Sequence, residues 1–291
     1  MRSIPCAALL LVVLLVSACS PAPTPVLPTE TPLPPTITPT LTASPTPTAV
    51  PDGPCDNPLV PLVTGNEWQY RVSGGSEAAD FTLRVLERAD IGNINIGVQI
   101  IDHKHQREIQ ELVICDEGTI VNFPLYLMSM LLVDQLKGVL DTYHFHQSGP
   151  YAPSYAELAG SGWSYSWKPE YLLEENAYLV NPTGGADLAI LSSSPIHLDV
   201  RMDGGFQSID IPAGITQEAI LVRVVYQMAV TIVEGGAGSA GSLDIHTSQW
   251  YVPFVGLVRA QIDSTLLEYY GQVFSAPITS VLELTSFTPG Q

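Results

Sequence analysis

Cys55 and Cys115 are the two cysteines that lie clear of the extreme N-terminus, where Cys6 and Cys19 stand. In an oxidising compartment an even pair is read as a disulfide. The bond would close a loop of about 60 residues and stabilise by roughly 4 kcal/mol through chain entropy. No Cys-x-x-Cys occurs, which sets aside zinc-ribbon and thioredoxin-type chemistry. Two His-x-His pairs, His103/His105 and His144/His146, could each offer two imidazoles to one metal, because residues i and i+2 of a strand share a side. Asp102 could orient or ligate. Lys104 and Arg107 oppose a cation there, so the simpler expectation is exposed loop and strand-edge histidines and no metal site. His197 and His246 fall at polar strand positions and read as solvated. The segment 237–241 (AGSAG) lacks the first glycine of a nucleophile elbow and lies between β segments. Glu174 and Glu175 are adjacent and would diverge in an extended chain, which makes them poor partners for glycoside hydrolysis. No phosphate-cradling glycine loop or EF-hand string is present. The expected protein is non-enzymatic, with no cofactor.

Trp163, Tyr165 and Trp167 alternate strictly. On a strand they would line one face, either as a carbohydrate or peptide platform or, more simply, as sheet packing.

Residues 7–16 (AALLLVVLLV) are unbroken apolar residues behind Arg2. This is too short to span a bilayer, which takes about 20 residues, and is the length of a signal-peptide core. Ser17, Ala18 and Cys19 follow. The stretch VSAC resembles the lipobox of bacterial lipoproteins, which implies a diacylglycerol thioether on Cys19 and removal of 1–18. Acyl chains burying many CH₂ groups at about 0.8 kcal/mol each make such an anchor effectively permanent. The mature protein is thus expected on the extracytoplasmic side of the cell membrane.

Residues 20–54 hold 12 of the 25 prolines, alternating largely with threonine. Proline fixes φ and removes donors, so this stretch predicts a disordered, polyproline II-like tether with a reach on the order of 110 Å. Three segments follow: 1–18 as signal peptide, 19–54 as lipidated cysteine and linker, 55–291 as one folded domain. The formal net charge of −18 excludes nucleic acid as a partner, since phosphates would be repelled.

The folded part reads as mainly β. Ile94, Ile96, Val98 and Ile100 alternate, as do Ile196, Leu198, Val200 and Met202, and again Val258, Ala260 and Ile262. The run 219–233 suits one long strand, with a loop of small residues at 234–242 turning it back. Residues 125–140 (LYLMSMLLVDQLKGVL) favour helix and are apolar almost all round; alternatively, 119–128 continue a hairpin strand and only 129–140 are helical. A second, shorter helix is expected at 168–175, with Pro169 in its first turn. Together these predict a large curved antiparallel sheet, a half-barrel, covered by a helical lid.

Gly65-Asn66-Glu67-Trp68-Gln69-Tyr70, Ile211-Pro212-Ala213-Gly214, the run from Trp250 to Val258 (WYVPFVGLV) and Leu282-Glu283-Leu284 occur in that order. This order resembles the TapB-like domains of bacterial envelope proteins, akin to the LolA/LolB/LppX lipoprotein-carrier fold. The resemblance implies an apolar concave side that holds lipid or acyl chains under the helix. Leu127, Met130, Leu131 and Leu136 are then the expected lining residues. Two functions follow: a binding module for a lipid or other apolar small molecule, or a structural and interaction lipoprotein whose concavity is filled by its own side chains. An apolar cavity of several hundred Å³ suits the first and a filled interior the second.

Overall fold

The computed structural model describes residues 53, 55–74, 78–91, 93–122, 125–137, 146–148, 150–172, 176–181, 186–191, 194–213, 216–234, 237–276 and 278–290. Cys19, the tether up to residue 52, and His144 lie outside them.

The first strands form a meander: β1 (Glu67–Ser73), β2 (Ala79–Ile91), β3 (Asn93–Asp102), β4 (Arg107–Asp116) and β5 (Thr119–Ile120). Short elements follow: α1 (Leu125–Leu131), β6 (Leu136–Lys137), β7 (His146–Ser148), α2 (Tyr155–Gly160), β8 (Ser164–Trp167), β9 (Glu170–Leu172), β10 (Ala177–Leu179) and β11 (Leu188–Ile190). The chain ends in a second meander of long strands: β12 (Pro195–Asp210), β13 (Thr216–Glu234), β14 (Ala237–Val252), β15 (Gly256–Tyr269), β16 (Gln272–Ala276) and β17 (Val281–Thr288).

All described pairings are antiparallel, and they join into one sheet. β1 joins the two meanders by pairing with β2 on one side and with β17 on the other. β17 in turn lies against β15, and the ladder runs on through β14, β13 and β12 to β8 and β9. The alternation seen in the sequence sets which side is buried. Ile96, Val98 and Ile100 of β3, Leu198 and Val200 of β12, and Val258 and Ala260 of β15 are all buried in one apolar cluster. That shared cluster is why strands far apart in sequence belong to one sheet. Apolar burial at about 25 cal/mol per Å² is available only when both meanders contribute.

Three expectations about local structure are corrected. The helix at 125–140 stops at Leu131; residues 132–135 turn, and Leu136 lies on β6 opposite Leu179. The helix at 168–175 is instead strand β9, because Glu170–Leu172 pair with Pro195–His197 of β12. The small-residue loop at 234–242 is mostly strand: β13 runs to Glu234 and β14 resumes at Ala237.

Candidate functional site

From Cys55 to Leu62 every residue but Asp56 is buried. Cys55 is bonded to Cys115 of β4, as the cysteine count predicts. Two residues on, Asn57 is fully buried. Its Oδ1 accepts from the N–H groups of Leu59 and Val60 at 2.9 and 3.2 Å. Its Nδ2 donates to the carbonyls of Gly118 and Pro153 at 2.9 and 2.8 Å. A buried amide with both ends satisfied can hold an irregular segment in place without a desolvation penalty. Leu59 and Pro61 then line a void together with Trp68, Leu83, Leu127 and Tyr251.

The voids described along the inner face are small. The void lined by those residues is about 30 Å³. A second, between Tyr151, Trp167, Leu198 and Gln249, is about 20 Å³. A third, by Leu132, Leu179 and Ile245, is about 10 Å³. Each holds a water molecule or two at most.

Four polar side chains in this interior bond to one another. Gln249, fully buried, donates through Nε2 to the hydroxyls of Tyr226 and Thr247, both at 3.0 Å. Tyr251 donates to Gln249 Oε1 at 2.7 Å. Burial pushes the Tyr226 phenol well above its ordinary value, against hydrogen bonds from Gln249 and Thr247 that lower it. Burial, with Tyr226 beside it, does the same to Tyr171. Both phenols are neutral at neutral pH.

Leu127, Met130 and Leu131 of α1 are all buried, and α1 packs on β15 and β17. Leu136 has left the helix, and its side chain lies outside the described residues.

The first histidine pair is not a strand pair. β3 ends at Asp102, and residues 103–106 form the hairpin turn, with Gln106 at φ +54°. His103 Nε2 is 2.9 Å from Thr82 Oγ1, whereas His105 Nδ1 is 2.7 Å from Asp102 Oδ2. The two rings therefore serve different partners. Arg107 donates to Asp102 Oδ2 at 2.9 Å, and the backbone N–H groups of Lys104 and His105 donate to its Oδ1. Asp102 caps the turn. His146 lies on β7 with its side chain outside the described residues. Among the described residues, no group of three or more His, Cys, Asp or Glu is placed to hold a metal. His197 Nδ1 lies 3.0 Å from a Glu170 carboxylate oxygen, and the side chain is half exposed.

Trp163 stands outside β8, so the three alternating rings do not share one strand face. Tyr165 and Trp167 meet tilted by 42°, with centroids 5.7 Å apart, and all three rings pack on the core. Tyr165 also borders a surface trough of about 330 Å³ with Lys168, Asp199, Arg201 and Asp203. Lys168 and Arg201 both pair with Asp199, and Arg223 pairs with Asp203. Hydrogen bonds from Lys168 and then Arg201 hold the Asp199 carboxyl below its ordinary value, against partial burial. In the run 250–258 Gly256 has φ +89°, and the strand aromatics Trp250 and Tyr251 face opposite sides. Trp250 points outward under Arg259, 5.5 Å from its ring centroid, and Tyr251 points inward.

No family description and no curated protein matches this chain. Among solved structures it is similar to a protein from Bacteroides fragilis, provisionally described as exported and as having a YmcC-like fold. The identity is 10%, the TM-score is 0.47, and the match covers 80% of this chain and all of that one. It is also similar to a protein from Parabacteroides distasonis, provisionally described as a lipoprotein. There the identity is 14%, the TM-score 0.45 and the coverage the same.

Asn57, Gln249 and α2 were not anticipated. For α2 a signal existed: Ser154 and Glu157 form a capping box, with Ser154 accepting from the Glu157 N–H and Glu157 accepting from the Ser154 N–H.

Proposed function

We propose that this chain is an extracytoplasmic lipoprotein, anchored through Cys19, whose folded domain is a non-enzymatic structural or interaction module rather than a ligand carrier. The observation that carries this reading is the small size of the voids lined by the described residues of the inner face. Voids of about 30, 20 and 10 Å³ stand against the roughly 300–1,000 Å³ of ordinary small-molecule sites. α1 serves as an internal cover whose Leu127, Met130 and Leu131 complete the core of a half-barrel. The segment 55–62, tied by the disulfide and Asn57, supports the same reading, because a carrier needs an entry that opens and this one is fastened on two sides. Anchoring rests on the apolar core at 7–16 followed by VSAC.

Native mass spectrometry of the mature chain, with lipid extraction, tests the reading. Acyl chains on the N-terminal cysteine and no further stoichiometric lipid are the expected result. A co-purifying lipid at one per chain would restore the carrier. Cys19→Ala should leave the protein uncleaved or released into the medium; unchanged membrane fractionation would remove the anchor.

A further inference from the structure

The surface trough where β8 meets β12 is far larger than the interior voids. At about 330 Å³, it reaches the lower end of ordinary small-molecule sites, roughly 300–1,000 Å³. Tyr165, Ser166, Lys168, Asp199, Arg201 and Asp203 border it.

Sheet register sets two like charges face to face beside this trough. Arg201 of β12 stands directly opposite Arg223 of β13. Val200, Met202, Val222 and Val224 on either side of them are buried, so both guanidiniums lie on the outer face. Like charges directly opposite each other on a sheet are destabilising. The row continues with a hydroxyl at each end: Ser166 opposite Arg201 on β8, and Ser248 opposite Arg223 on β14. Ser248 donates to Asp263 at 2.7 Å, which closes the row on that side.

Each guanidinium is fastened through one nitrogen. Arg201 donates through Nε to Asp199 at 3.3 Å, and Lys168 donates to the other oxygen of Asp199 at 2.8 Å. Arg223 donates through one terminal nitrogen to Asp203. Both terminal nitrogens of Arg201, and the Nε and second terminal nitrogen of Arg223, engage no described residue. The two carboxylates thus brace the arginines and leave donors on each for something else.

β12 bulges at the same place. Asp203, Gly204 and Gly205 stand against the single residue Leu221, with the glycines at φ +79° and +78°. A bulge re-aims side chains and recurs beside binding sites. Here it places Asp203 on Arg223, and a Cβ on Gly204 would come within 3.3 Å of the Ser164 Cβ, so glycine lets β12 close on β8 at the end of the trough.

The chain has 11 Lys and Arg against 29 Asp and Glu, yet here Lys168, Arg201 and Arg223 outnumber Asp199 and Asp203. Exposed ion pairs add little to stability, so the fold does not account for two guanidiniums set side by side. An oxyanion does. Guanidinium N–H groups offer it parallel, charge-assisted hydrogen bonds. Next to them, Ser166, Tyr165 and Lys168 supply hydroxyls and an ammonium, which can donate to and accept from the hydroxyls of a sugar.

We propose that this trough binds a monosaccharide-sized molecule carrying an oxyanion, a sugar phosphate or a sugar acid. The oxyanion lies across Arg201 and Arg223, and the sugar hydroxyls meet Tyr165, Ser166 and Lys168. The site is on the outer face and is independent of what the interior holds.

Calorimetric titration of the full chain in non-ionic detergent micelles tests this, with glucose 6-phosphate, glucuronate and glucose as probes. One of the two anions should bind with a Kd of about 1 mM or below, and the tighter of them identifies the oxyanion. Glucose should bind at least about tenfold more weakly, because it leaves the guanidinium donors unused. Arg201→Gln and Arg223→Gln should each weaken the anion by about tenfold. Both side chains are more than half exposed, so the variants should unfold at the wild-type midpoint. Arg201→Lys keeps the charge, loses the planar fork and should also weaken binding. Arg71→Gln removes an exposed arginine paired with Asp80, outside the trough, and should bind as wild type does. No saturable binding of either anion up to about 10 mM overturns the proposal. So does glucose binding as tightly as the anions, or an equal loss in Arg71→Gln, which would reduce the effect to overall charge.

Discussion

The side-chain amide of Asn57 donates to the carbonyl of Pro153 at 2.8 Å, joining the entry of the domain to the residue that precedes the α2 cap. The same side chain serves three other backbone groups, all inside the protein. Asn57→Ala leaves buried donors and acceptors unpaired at about 1–3 kcal/mol each, so a loss of about 3 kcal/mol is expected in urea unfolding. Asn57→Asp keeps the acceptor side, loses both donors and buries a charge. It should cost more at neutral pH than Asn57→Ala does. A midpoint within error of wild type for either variant would show that the segment is held elsewhere.

Cys55 and Cys115, 60 residues apart, fasten the same segment to β4. Reduction, or serine at both positions, should lower stability by about 4 kcal/mol in the chain-entropy model. Non-reducing peptide mapping should recover one linked peptide pair. Full alkylation of both thiols in the native, unreduced protein is the contrary result.

The readable parts of the fold were those decided by local pattern. Strict alternation at 196–203 and 258–262 identified strands because burial on one face repeats every two residues. The misread parts were decided by distant partners. Pro169 fits a helix start, but Glu170–Leu172 find a ladder on β12. Gly238 and Gly241 look like loop residues, yet both stand in β14. A Cβ on Gly241 would meet the Glu268 carbonyl of β15 at 2.6 Å, so that glycine permits close strand approach rather than a turn. The His-x-His spacing implied a shared face only if 103–105 were extended, and Asp102 turns them instead. Gln249 could not be found from sequence, because its partner Tyr226 is brought to it from β13 by sheet register.

Asp102 makes the hairpin turn pH-sensitive. Burial raises its carboxyl, but hydrogen bonds from Arg107 and His105 outweigh this and hold it below its ordinary value. A carboxyl lowered in the folded state adds stability above its unfolded value, near 3.9, and loses it as pH falls through the folded value. Wild type should therefore lose stability relative to Asp102→Asn as pH drops below about 4. Parallel stability curves for the two proteins from pH 5 to pH 2 would refute this role.

Phe254 offers a test of backbone strain. Alanine at this position keeps the left-handed conformation and loses the ring, whereas glycine loses the ring and relieves the backbone. Phe254→Gly should be more stable than Phe254→Ala by about 1 kcal/mol, the reverse of the usual order for these residues. Calorimetric midpoints of the two variants decide it, and equal midpoints would mean the turn has relaxed around alanine.

Leu131 closes α1 and is almost completely buried. Its neighbours Leu127 and Met130 are buried with it, and the helix rests on β15 and β17. A helix of seven residues has little stability of its own, so it is held by its packing on β15 and β17. Leu131→Asp puts a charge into this contact with no partner there, and an unpaired buried charge is costly enough to displace the helix or unfold the domain. Either outcome exposes apolar surface, so the variant should bind a hydrophobic dye more strongly than its parent and unfold at lower denaturant. Displacement alone would keep the sheet's circular dichroism while the dye signal rises; global unfolding would lose both sheet signal and cooperativity. Should the variant match wild type in stability and in dye binding, α1 is not what closes the inner face.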